Sequence, residues 1–180
     1  MLDSIIPKFQ YKPWQEFRDQ ELWTTRVDKL LKENKDTLVK LHGMMFPKYE
    51  ADGIKNCLKM LMDNPLIAMS DKEARFCYGM SKMTVKDEVN NHEEYDKLRF
   101  VEFLEYLGRV AHAKYIDMYG QLHEKLELLL ENVFMFYGFK FKKPKVVLDD
   151  VASSDESISE RDGEEQEYMV ETLDSNRGYN

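Results

Sequence analysis

Apolar residues recur at spacings of three, four and seven along most of the chain between Val27 and Phe136, the period of helices with one buried face. Val27, Leu30, Leu31, Leu38, Leu41 and Met45 keep one stripe, so "RVDKLLKENKDTLVKLHGMMF" is predicted to be a single amphipathic helix, ended by Gly43 and Pro47. "YEADG" has turn chemistry, and "IKNCLKMLMD" is a short helix with Ile54, Cys57, Leu58 and Leu61 on one face, stopped by Asn64-Pro65. Ser70 followed three residues later by Glu73 spells a capping box that opens a helix at "SDKEARFCYGM". After the polar stretch "SKMTVKDEVNNHEEYD" comes "LRFVEFLEYLGRV". Beyond it Tyr115, Tyr119, Leu122, Leu126, Leu129, Val133 and Phe136 alternate spacings of four and three. That heptad stripe predicts that the preceding helix continues, bent near Gly120, as a long helix that either folds back over the others or packs on a partner. No strand of more than a few residues is suggested, so the fold class is all-α.

Charge changes the picture at one end only. Of 34 acidic and 26 basic residues, eleven acids and two arginines follow Leu148, which leaves a body with 23 acids and 24 bases. The acidic segment from Asp149 onward is too poor in apolar residues to offset its ordering entropy and reads as a solvated tail. Ser153, Ser154 and Ser157 within it are candidate sites for an acidophilic kinase. Just before the tail, "YGFKFKKPK" gathers Lys140, Lys142, Lys143 and Lys145, suited either to an acidic partner or to a helix end. At the other end Phe9, Tyr11, Trp14, Phe17 and Trp23 form an aromatic arm, which either lies across the domain or anchors in another protein.

Catalytic chemistry finds no purchase. The four histidines are scattered, Cys57 and Cys77 follow no ligand spacing and read as core residues of a reducing compartment, and no phosphate-binding or nucleophile motif occurs. Nothing resembles a signal peptide or a membrane span. The expectation is a non-enzyme without nucleic-acid or membrane partners.

The order helix, loop, helix, link, helix, loop, helix, together with "LRFVEFLEYLGRVA" after "SKMTV", resembles a pair of EF-hands, over roughly Leu38–Ala113. EF-hand-like modules of ciliary and flagellar proteins share this spelling. In that family an aliphatic residue joins the two loops through a short ribbon, and a glutamate at the twelfth loop position holds calcium with both oxygens. Placing Glu102 twelfth puts Leu98 eighth, Asn91 first and Glu93 third, but Tyr95 and Asp96 then stand where an oxygen ligand and a glycine belong. The better alignment ends the entering helix near Met80 and leaves a long loop, Ser81–Lys97. The first loop, with Ile54 as its aliphatic residue, offers only Asp52. Asn91, Glu93 and Glu102 are therefore weak metal candidates, calcium is not expected, and Glu102 is read as a helix-start residue favoured by the backbone dipole.

The expected organisation is an aromatic arm (1–26), a degenerate EF-hand pair (27–113), a long helix with a basic end (114–145) and an acidic tail (146–180). The resemblance implies a non-catalytic structural or adaptor subunit of a cytoplasmic, cytoskeletal assembly, a ciliary axoneme or another microtubule-based complex. Its partners would be protein subunits such as tubulin or axonemal proteins. The residues expected to meet them are Trp14, Phe17, Trp23, Tyr115, Tyr119, Leu122, Leu126, Leu129, Val133, Phe136, Lys142 and Lys143. The alternative is a calcium-regulated, light-chain-like module gripping a partner helix.

Overall fold

The computed structural model describes residues 14–47 and 53–144. Phe9, Tyr11, Asp52 and the acidic tail lie outside the described residues; the chain divides into two units, Met1–Pro144 and Lys145–Asn180, and the second lies wholly outside them. Within the described residues the chain is all-α, as the helical periodicity predicts. A one-turn helix α1 (Trp14–Phe17) runs into a wide turn (Arg18–Leu22), followed by α2 (Thr25–Glu33), α3 (Lys35–Met45), α4 (Gly53–Met62) and α5 (Asp71–Ser81). A 3-10 turn (His92–Asp96) then precedes α6 (Phe100–Lys114) and α7 (Leu122–Phe136).

Local chemistry sets most of the boundaries. The Thr24 hydroxyl accepts the Val27 N–H (3.4 Å) at the start of α2. The expected capping box opens α5, where Ser70 Oγ accepts the Glu73 N–H (3.3 Å) and the Glu73 carboxylate accepts the Ser70 N–H (3.2 Å). At the far end of α7, Gly138 takes a φ of +70°, and its N–H reaches the Met135 carbonyl (3.1 Å). The Phe139 N–H meanwhile reaches the Phe134 carbonyl (2.7 Å), which completes a Schellman ending.

Three sequence expectations are corrected. The helix expected over residues 26–46 breaks at Asn34. That side chain donates to the Leu30 carbonyl (3.0 Å) and the Lys142 carbonyl (2.8 Å) and accepts the Lys142 N–H (2.9 Å), so the cause lies 108 residues downstream. The helix expected to run on past Gly120 ends at Lys114. Gly120 adopts a φ of +129°, which no other residue type takes readily, and α7 begins afresh with the Gln121 N–H on the Glu124 carboxylate (2.8 Å). Ile54, expected in a short strand, is the second residue of α4, and no strand pairs with Leu98 among the described residues. Leu98 is met instead by a side chain of a helix: His42 Nε2–H of α3 donates to the Leu98 carbonyl (2.8 Å).

The core is centred on α6, which packs against α3, α5 and α7. Residues Glu102–Ala111 are buried on nearly every side, the mark of an interior helix. Tyr106 meets Tyr78 edge-on at 5.9 Å, and Phe103 meets Phe46 at 6.2 Å. Leu122, Leu126, Leu129 and Val133 belong to the same cluster, so the heptad stripe seals this chain's own core, a correction to their expected role at a partner surface. The cause is the Gly120 break, which lets α7 lie on α6. Boundaries expected at residues 26 and 113 accordingly fall inside one unit, with Phe17 and Leu22 in its core. Among the described residues no helix is long and apolar enough to cross a membrane.

Candidate functional site

Charged side chains are expensive to bury, so those that are buried mark where the sequence spends stability on arrangement. Helix α6 carries two such carboxylates almost one turn apart, Glu102 and Glu105, at 1% and 0% exposure.

Glu102 stands in the first turn of α6, facing the end of α5. Oε1 accepts the Met83 N–H (2.8 Å) and Oε2 accepts the Arg99 N–H (2.6 Å), so the helix-start role read from the sequence holds for one oxygen. The Lys82 ammonium spans both oxygens at 3.1 and 3.0 Å and donates again to the Lys97 carbonyl (2.9 Å). Lys82 is the first residue past α5 and is itself 7% exposed. An ammonium of this chain thus holds the loop between α5 and α6 shut, with one carboxylate and one carbonyl around it.

Glu105 faces the N-terminal segment. Arg18 Nε donates to Oε2 (2.8 Å), while Arg109 Nε and Nη2 donate to Oε1 (2.9 and 2.8 Å). The Arg109 guanidinium also lies 4.4 Å above the Phe17 ring, whose edge contact with His112 spans 5.6 Å. Burial pushes Arg109 below its ordinary pKa, and the Glu105 carboxylate opposes that shift. Gly108 lies between these groups: a Cβ there would stand 2.6 Å from Leu22 Cδ1 and 3.9 Å from Phe17 Cζ.

The remaining candidates scatter. Asn91 and Glu93 are exposed beside the 3-10 turn while Glu102 is buried, and among the described residues no group of three or more His, Cys, Asp or Glu side chains could hold a metal ion. Phe17, expected to anchor in a partner, is 2% exposed inside this chain. Trp23 stays on the surface, and the side chain of Trp14 lies outside the described residues. Tyr115 is half-buried, its hydroxyl accepting from Asn132 (3.1 Å). Tyr119 and Phe136 remain exposed. Lys142 is fixed through its backbone by Asn34, and the Lys143 ammonium pairs with Glu127 of α7 (2.7 Å). Both thiols are buried, which pushes Cys77 up to about 12 and Cys57 higher still, so neither is a nucleophile at neutral pH. An open cavity of about 400 Å³ beside Tyr78, Lys82, Met83 and Tyr95 has the lysine at its edge.

Sequence reasoning missed Lys82, Glu105, Arg18 and Arg109. A signal was present: Glu102, Glu105 and Arg109 share the three-four spacing of one helix face inside an otherwise apolar decapeptide. Comparison with family models, curated proteins and solved structures found no match for this chain.

Proposed function

We propose that this chain is a non-catalytic structural or adaptor subunit of a large assembly, a ciliary axoneme or another microtubule-based complex, built on an EF-hand-like pair that works without calcium. In this reading α3–α4 and α5–α6 are the two hands. Support comes from the order of the helices and from the packing of α3 on α6 and α4 on α5. The observation that carries the proposal is Lys82: its ammonium occupies both oxygens of Glu102, the residue a calcium loop of this spelling would use to hold its ion. The surrounding donors point the same way, since the Met83 and Arg99 N–H groups already fill the same carboxylate. The buried carboxylates are engaged by internal cations, as suits a rigid body that connects other proteins.

Calcium titration by calorimetry tests the reading. No saturable heat is expected at micromolar calcium, and a tagged chain isolated from its source cell should retain tubulin or axonemal partners equally in calcium and in chelator. Micromolar binding abolished by Glu102→Gln, or a partner set that changes with calcium, would overturn it in favour of a light-chain-like module.

A further inference from the structure

We propose that Thr84 is a phosphorylation site for an acid-directed serine/threonine kinase, and that its phosphate is captured by Arg75 across the open cavity beside α5. The inference goes beyond the adaptor reading and does not depend on calcium. Such a kinase uses its own basic groove to read an acid three residues past the acceptor. Among the described residues three hydroxyls have that spacing: Thr25 with Asp28, Ser70 with Glu73 and Thr84 with Asp87. The fold withdraws the first two. Thr25 is the first residue of α2, and Asp28 is neutralised within that helix by Lys32 (2.6 Å). Ser70 Oγ is held in the capping box, accepting the Glu73 N–H and donating to the same residue's carboxylate (2.7 Å). Thr84 is exposed in the non-helical stretch after α5, and its hydroxyl makes no hydrogen bond to a described residue. It stands between two anchored positions, Met83, whose N–H is on Glu102, and buried Val85. Asp87 uses its carboxylate on Asn90, a neutral partner, and Glu88 takes the Tyr95 hydroxyl. Both acids therefore keep a negative charge that no cation among the described residues pairs with.

In the transfer, Thr84 Oγ1 bonds the γ-phosphorus of a nucleoside triphosphate as the bond from that phosphorus to the bridging oxygen breaks. The hydroxyl proton goes to the kinase's catalytic base, and the diphosphate leaves. The product adds a charge of about −2 and three acceptor oxygens at the cavity. Thr84 shares that cavity of about 400 Å³ with Arg75, Gly79 and Lys82. These three α5 residues are spaced four and three apart, so they form one wall. Gly79 leaves room there, since a Cβ would meet nothing within 4 Å. Lys82 is already taken by Glu102 and the Lys97 carbonyl, which leaves Arg75 as the cation for the phosphate. Its present pair with Asp71 (2.8 Å) is a half-exposed contact within one helix, which solvent screens. A phosphate offers the same guanidinium two parallel charge-assisted bonds. Arg75 would then tie the outer part of the loop to α5, as Lys82 ties the inner part to α6.

The test incubates the folded full-length chain with a purified acid-directed serine/threonine kinase and magnesium ATP, and locates phosphate by mass spectrometry. An acidic peptide substrate serves as the activity control. Thr84 is expected to be modified, with Thr25 and Ser70 left bare. Asp87→Asn, which can keep the contact to Asn90, should slow modification about tenfold or more, and Asp87→Glu should restore it. No phosphate on Thr84 while the control peptide is modified, equal modification of all three hydroxyls, or a rate indifferent to Asp87→Asn overturns the site. Capture is read by phosphorus NMR of the modified chain. The second proton of the phosphate, with a pKa of about 6 when free, should titrate about one unit higher in Arg75→Ala than in the unaltered chain. Asp71, Lys82 and Glu88 also face this region and are the same in both chains, so the difference reads Arg75. Superimposable titrations overturn the capture.

Discussion

Glu102 and Glu105 are three residues apart on one helix and equally buried, yet they are neutralised in opposite ways. Around Glu102 the donors are two backbone N–H groups and one ammonium, all from the stretch between α5 and α6. Around Glu105 they are two guanidinium groups, one from α6 itself and one from a turn 87 residues earlier. The first arrangement is a local closure with backbone donors to spare; the second joins distant parts of the chain through one carboxylate. A buried charge is therefore only as robust as its least replaceable partner.

The largest predicted effect breaks the second arrangement. Glu105→Ala leaves Arg18 and Arg109 without their shared carboxylate and should lower unfolding free energy by about 4 kcal/mol in urea titration. Lys82→Ala should cost about 2 kcal/mol, because the Met83 and Arg99 N–H groups still hold Glu102. A loss as large as that of Glu105→Ala would erase the distinction. Gly108→Ala should cost about 1 kcal/mol, since the Cβ meets the movable tip of Leu22. It should alter tryptophan emission through the neighbouring Trp23, whereas Lys82→Ala should not.

The smallest effect is a pH control. Cys57, Cys77, Tyr78 and Tyr106 all have pKa values raised by burial, so the folded chain keeps protons that the unfolded chain releases. Their contribution to stability is fully present below about pH 8 and is lost as pH rises through about 9 to 10 and beyond. Denaturation midpoints should fall over that alkaline range to the same extent in the unaltered chain and in Lys82→Ala; a steeper fall in the variant would mean that the loop closure also shields these groups.

What was legible in the sequence was whatever depends on neighbours along the chain. The capping box at Ser70, the stop at Pro65 and the inward face of α4 follow from spacing alone. The stripe from Leu122 to Val133 was legible as apolar, but period does not say whose core it fills; the Gly120 break decided that. Asn34 is an unremarkable helix-surface residue until the Lys142 backbone arrives beside it. Phe17 looked adhesive because aromatics near an end are, and its seat on α6 depends on a wide turn that no residue pattern announced. Lys82 and Arg18 look like surface charges by type, since the carboxylates that bury them come from another element.

The paired hydrogen bonds between Asn34 and the backbone of Lys142 also decide how the chain would bear a mechanical load. A pull arriving through the residues after Pro144 meets this clamp, with the Lys143–Glu127 pair beside it, before it reaches the end of α7. Tension is thus delivered at the junction of α2 and α3, and the last turn of α7, with its Gly138 ending, is spared from unwinding first. One asparagine thus stands where load from that side enters the fold.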